Sequence, residues 1–177
     1  MDIQSATIPL EKPLIIRKAE QGDLPALEWN GEYRHFRTLY SDIYQHSQRG
    51  NALMWVLELP GSGVIGQLFI QLVSARKELA DGFSRAYLYA FRIQPQYRSM
   101  GLGSQLITYV EADLFRRRFR WVTLNVAKNN DRARRFYERH GYHIVADEPG
   151  RWSYTDELGN RRDVVEPAWR MEKDLLG

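Results

Sequence analysis

The sequence predicts an α/β domain in which a mixed sheet is covered by helices on both faces, and three observations carry that prediction. Apolar runs of strand length alternate with longer stretches whose apolar residues recur at every third or fourth position, the spacings that separate sheet from helix. A proline-and-glycine turn, "PGSG" at 60–63, joins two strand-like runs as an antiparallel hairpin. No repeat, low-complexity tract or proline-rich linker divides the 177 residues, a length that one domain accommodates.

Each element has its own signal. "LIIRKA" (14–19) is strand-like, and Asp23 with Pro25 opens a short helix that runs to Trp29. Tyr33, Phe36, Leu39 or Tyr40, and Ile43 follow at helical spacing until Gly50. "ALMWVLEL" (52–59) and "VIGQLFIQLV" (64–73) are the hairpin strands, and "RAYLYAFRI" (85–93) is a third strand after the loop "SARKELADGFS". Leu106, Ile107, Val110, Leu114 and Phe115 mark a helix from 103 to about 118. "RWVTLNVA" (120–127) is a strand, and "NDRARRFYERHG" sets Ala133, Phe136 and Tyr137 on one face of a short helix ended by Gly141. "YHIVADE", "RWSYTD" and "DVVEPAWRMEK" predict a closing antiparallel pair with "ELGN" (157–160) as its turn.

Composition narrows the chemistry. With 44% apolar and 27% charged residues the chain is ordinary for a soluble protein. A net charge of +3 suits an anionic ligand without indicating nucleic acid. There is no cysteine, which excludes a disulfide framework, a thiolate zinc site and a cysteine nucleophile. Histidines 35, 46, 140 and 143 show no metal spacing, so no metal is expected. The cationic run "FRRRFR" (115–120) balances the negative end of its helix, and no nucleic-acid partner is expected. "MDIQSATIPLEKP" lacks the form of a signal peptide, and no run approaches the roughly 18 apolar residues of a spanning helix. A cytoplasmic protein without a membrane partner is expected, with a flexible segment at 1–12 preceding the domain at 13–177.

Three glycine motifs compete for a phosphate. "GSGVIG" (61–66) spells the dinucleotide fingerprint, but "QLFIQLV" after it has strand character, and that fingerprint must open a helix. A P-loop is excluded because no glycine is followed by Lys and then Ser or Thr. "RSMGLG" (98–103) alone stands between a strand and a helix. There the first amides of a helix lack partners and the macrodipole is positive, so amides from Ser99 to Ser104 suit a diphosphate, with Arg98 adding a cation. Gly101 and Gly103 are expected to permit close approach and unusual backbone angles.

A second signature follows in "NNDRARRFYERHGY", with Asn130, Ala133, Phe136-Tyr137 and Gly141-Tyr142 in order after the next strand. Together the two stretches resemble the GNAT superfamily of acyl-coenzyme A-dependent N-acetyltransferases, specifically from Leu88 to Val145. "RSMGLG" stands where that family writes R/Q-x-x-G-x-G/A, although Ser99 and Met100 occupy positions where it often has a small residue and a cation. The resemblance implies a mostly antiparallel sheet whose parallel strands, here 86–94 and 120–127, splay to form a cleft for acetyl-coenzyme A.

It further implies that backbone groups of Phe91, Arg92 and Ile93 bind the pantetheine arm. One of these amides, taken as that of Ile93, would polarise the thioester carbonyl. Arg98, Ser99, Met100, Gly101, Leu102, Gly103 and Ser104 would hold the diphosphate, and an arginine of "RARR" (132–135) an adenosine phosphate. Asn130 and Ala133 would flank the arm, with Asn130 also capping its helix. Tyr137 would protonate the departing thiolate, since a tyrosine near pKa 10 carries its proton at neutral pH. The acceptor would be a small-molecule or peptide amine, enclosed by residues 29–44 and 154–163, with Trp29, Tyr33, Phe36, Tyr40 and Trp152 as candidate walls. Glu28, Glu32, Tyr89 and Glu166 are candidate bases; "RAYLYAFRI" holds no carboxylate where some relatives carry one, its counterparts being Tyr87 and Tyr89. The alternative is an acyl-coenzyme A-binding or sensing module without turnover, and a monomer or homodimer is expected.

Overall fold

A computed structural model describes residues 13–177, so the segment expected at 1–12 lies outside the described residues. Nine strands and three α-helices follow in the order β1 (Ile15–Lys18), α1 (Arg37–Gln48), β2 (Ala52–Leu59), β3 (Gly63–Gln71), β4 (Arg85–Ile93), α2 (Leu102–Arg116), β5 (Trp121–Ala127), α3 (Asp131–Arg139), β6 (His143–Glu148), β7 (Arg151–Thr155), β8 (Arg161–Val165) and β9 (Ala168–Asp174). A 3₁₀ segment, Gln21–Gly31, links β1 to α1, and Trp29 and Asn30 leave helical geometry there with φ of 46° and 55°. Seven strands form one sheet in the order β1-β2-β3-β4-β5-β9-β6, antiparallel except for β4 with β5.

Strand β2 shows why the sheet sits where it does. Leu53, Trp55 and Leu57 enter the core under α2, and Met54 and Val56 enter the core under α1. A strand covered on both faces has no reason to alternate with polar residues, hence the unbroken run "ALMWVL". On the first face Leu102, Leu106, Ile107, Val110 and Leu114 of α2 are buried against Leu68, Leu88, Val122 and Leu124, each side chain contributing roughly 1.5–3 kcal/mol. On the second face Leu27, Tyr40 and Ile43 cover Met54, Val56 and Phe69.

The end of the chain departs from the expected closing pair. Four strands follow α3, and β9 inserts between β5 and β6 rather than extending the sheet's edge. β7 and β8 do pair around the expected turn, but as a separate ribbon. Both are exposed along most of their length, with Arg151, Arg161, Arg162 and Asp163 among their side chains, so the ribbon has too little apolar surface to enter the sheet. Buried Asp156 organises the turn, accepting from the amides of Leu158 and Asn160 at 3.0 and 2.8 Å and from Arg162 Nε at 2.7 Å.

The parallel pair is incomplete. β4 and β5 are in register only from Arg85↔Trp121 to Leu88↔Leu124, while β4 continues beside β3 to Ile93 and β5 beside β9 to Ala127. A bulge marks the parting, with Ala90 at φ 50° and two residues of β4 opposite one of β3. Such a bulge bends its strand. Buried Gln67 secures it, Nε2 donating to the Ala90 carbonyl at 3.2 Å. "GSGVIG" is the expected hairpin: Gly61 and Gly63 turn the chain at φ 91° and 80°. Gly66 lies in β3, where a Cβ would come within 2.5 Å of Ile93 Cδ1.

Candidate active site

Between the diverging ends of β4 and β5 opens a cavity of about 670 Å³. Phe91, Arg92, Ile93, Arg98, Ser99, Gly101, Leu102, Gly103, Ser104, Asn130, Ala133 and Tyr137 all line it. Of the residues the sequence nominated, Met100 stands apart; it is 37% exposed and belongs to the turn, not to the wall.

The strand edge exposes backbone. Gln94 N–H donates to Ile65 O of β3 at 2.8 Å. Successive amides of a strand point to opposite edges, so the Ile93 amide points to the side that β5 has left. The carbonyl of Ile93 on that side accepts from Arg98 Nε at 2.8 Å. This bond pins Arg98 to the strand end and leaves its terminal nitrogens for a ligand.

Beyond β4 the turn is left-handed at Ser99 (φ 62°) and at Gly101 (φ 77°), which is the N-cap of α2. Gly101 has no cap side chain, and a Cβ there would meet nothing within 4 Å. The first amides of α2 therefore face open space at the positive end of a 15-residue helix. The unusual backbone angle expected at Gly103 falls instead on Ser99 and Gly101. Gly103 is inside α2, and a Cβ there would make ordinary 3.6 Å contacts with Phe91 and Phe136.

The opposite wall is α3. Asn130 caps it, Oδ1 accepting from Ala133 N at 3.1 Å, which leaves the amide nitrogen unspent. Tyr137 packs edge-on to Phe136 at 5.4 Å and to Tyr142 at 5.7 Å, and burial pushes its phenol above the usual tyrosine range. Of "RARR", Arg132 lines the cavity and donates to Ser99 Oγ at 3.3 Å, whereas Arg134 is paired with Glu138 and Asp131. Arg139 also lines the cavity; it had a signal, since 132, 136 and 139 share one helical face. A further link had no local signal: Ser104 Oγ and His140 Nε2 lie 3.0 Å apart, joining the start of α2 to the end of α3. Burial lowers the His140 pKa, favouring its neutral ring.

The profile described as "Acetyltransferase (GNAT) family" matches residues 20–142, which include the cavity wall. The chain belongs to the GNAT acetyltransferase family. It is similar to a Pseudomonas phage PaMx11 protein named 5-NmdU N-acetyltransferase, with 36% identity over 63 residues, which are 36% of this chain and 43% of the phage protein. Among solved structures, Ard1 of Thermoplasma volcanium superimposes with a TM-score of 0.70 at 20% identity, over 93% of this chain and 99% of that one. The Escherichia coli ribosomal-protein-S18-alanine N-acetyltransferase gives a TM-score of 0.68 at 20% identity over 92% and 94%. At these identities the likeness is one of fold.

Within this GNAT chain the candidate bases are largely committed elsewhere. Glu28 accepts a two-pronged bond from Arg37 at 2.7 and 2.9 Å, and that guanidinium holds its carboxyl below the usual range. Tyr87 and Tyr89 stack at 5.6 Å; burial pushes Tyr87 up to about 12 and Tyr89 higher still, so neither phenol is a base near neutrality. Glu32 and Glu166 are exposed and do not line the cavity. Of the candidate acceptor walls, only Tyr33 reaches the cavity. Tyr40 is 2% exposed and belongs to the core. Phe36 lies 5.0 Å from Tyr154 and 6.1 Å from Trp152, so the β7–β8 ribbon folds its rings onto the segment before α1. No group of three or more His, Asp or Glu side chains suited to a metal occurs among the described residues. No helix among them is long and apolar enough to cross a membrane.

Proposed function

We propose that the chain transfers an acetyl group from acetyl-coenzyme A to an amine that attacks the thioester directly. The observation that supports this most is the convergence, on one cavity, of an unpaired strand edge, an open helix start and a partly buried tyrosine. The open space at Gly101 fits a diphosphate, and the unpaired stretch of β4 fits an extended arm that carries amides. Bound there, acetyl-coenzyme A would supply the activated acetyl thioester.

The chain's own residues then divide the work. Amides from Ser99 to Ser104, with Arg98 and Arg132, would hold the diphosphate. Backbone groups of Phe91 to Ile93 would align the arm, with Asn130 Nδ2 and Ala133 on its other side. The Ile93 amide would donate to the carbonyl oxygen as charge develops on it, a contribution of about 3 kcal/mol for such donors. Tyr137, kept protonated by burial, would give its proton to the leaving sulfur.

Calorimetry with acetyl-coenzyme A, followed by thiol release across a panel of amines, tests the proposal. Micromolar binding with amine-dependent thiol release is expected. Binding without release for every amine would make the chain an acyl-coenzyme A-binding module, and no binding would remove the site altogether.

A further inference from the structure

Four arginines, Arg92, Arg98, Arg132 and Arg139, line the cavity, and none of them shares an ion pair with a carboxylate among the described residues. Arg98 and Arg132 meet in the turn before α2, where a coenzyme diphosphate would sit. Arg92 does not. It stands on β4 between Phe91 and Ile93, whose side chains pack into the α2 side of the sheet. Its own side chain projects to the other face, over the rings of Tyr33 at 4.3 Å and Phe36 at 5.7 Å. Its one side-chain hydrogen bond among the described residues is from Nη1 to Tyr40 Oη at 3.1 Å.

That arrangement holds a cation without neutralising it. Ring faces attract a guanidinium but carry no net charge. Burial pushes the Tyr40 phenol above its usual value, so it is a neutral partner. Glu28, the carboxylate on the adjoining segment, is committed to Arg37. A partly buried guanidinium with unspent donors in a fixed fork is the geometry that recognises a carboxylate or phosphate in two-pronged fashion.

We infer that Arg92 is an anion anchor for the acceptor: the amine acetylated here carries a carboxylate or phosphate group. The inference rests on the acetyltransferase reading for the word acceptor, but not for the anion site itself. Polycationic amines are then poor substrates, because they place like charge beside Arg92.

The test uses matched amines, glycine against glycinamide and phosphoethanolamine against ethanolamine, with spermidine as the cationic control. The anionic member of one pair should exceed its neutral partner by roughly tenfold or more in kcat/KM, as expected for a hydrogen-bonded charge pair. The pair that responds distinguishes carboxylate from phosphate. Arg92→Gln should bring that ratio to about one. Equal ratios in the wild type, a preference for spermidine, or a ratio retained in Arg92→Gln would overturn the inference. Should no amine release thiol, the acetyltransferase reading falls. Calorimetry of the same compounds on the coenzyme A-bound protein then decides the anchor alone. Roughly tenfold tighter binding of an anionic member to the wild type than to Arg92→Gln keeps it, and equal affinity overturns it.

Discussion

At one end of the cavity the wall is mostly backbone and cations, with left-handed turns at Ser99 and Gly101, the first amides of α2, and Arg98, Arg132 and Arg139. At the other end Tyr33 alone reaches the wall, backed by a cluster of rings outside it in which Tyr33, Trp152 and Tyr154 each lie within 6.1 Å of Phe36. The first end depends largely on main-chain geometry, and the exposed Met100 of its turn is no part of the wall. The second depends on side-chain identity and on a ribbon attached from the far end of the chain. Changes at the first end should therefore act on every reaction of the protein, and changes at the second on the choice of amine.

Tyr137→Phe, between the two ends, should have the largest effect, lowering kcat by roughly 100-fold or more with coenzyme affinity retained. Unchanged steady-state turnover would remove Tyr137 from the acid role. Gly101→Asp comes next, and is expected to weaken acetyl-coenzyme A binding by roughly 100-fold by calorimetry, because it sets a carboxylate against the proposed diphosphate position. Gly101→Ala separates the causes: it imposes strain at φ 77° without charge, so it should lose far less affinity. Equal losses would mean that the turn itself, and not repulsion, governs the site.

Gly150→Ala probes the ring-lined end. A Cβ there would collide with the Glu166 carbonyl oxygen, where β7 leaves β6. Moving the ribbon should raise the acceptor KM about tenfold and cost about 2–4 kcal/mol of stability in denaturant titrations, from overpacking and positive φ together. Coenzyme affinity should be spared, and a matching loss of it would merge the two ends into one unit. The smallest effect is one of pH. Burial raises the Tyr137 pKa above 10, so its proton is present below that value and leaves only beyond it. The kcat profile should show no falling limb from about pH 7 to 10. A fall in kcat below pH 9 that Tyr137→Phe abolishes would contradict the assignment.

The contrast also explains what could be read from the sequence. The end proposed to hold the coenzyme is local: "RSMGLG" and "NDRARRFY" are short, ordered stretches, and the helical spacing of Ala133, Phe136 and Tyr137 places them on one wall. Strand and helix positions were likewise available from apolar spacing. What escaped was non-local. Nothing around residue 168 announces that β9 will insert between β5 and β6, because strand order depends on pairing across the whole chain. The bulge at Ala90 was hidden because an alanine at positive φ has no compositional mark, unlike the glycines of the hairpin. The contact of Ser104 with His140 joins residues on different helices, and the core position of Tyr40 could not be told from a pocket position by spacing alone.

The seam between β4 and β5 is closed by only four residue pairs. The strands on either side belong to two antiparallel groups, β1 to β4 and β5 with β9 and β6. In a cohesive sheet such a join is the place most ready to breathe, and amides next to it are the first to trade hydrogen with water. An occupant that laid an extended chain along the gap would act as a temporary eighth strand, so the molecule should be measurably stiffer and harder to melt while loaded than between turnovers.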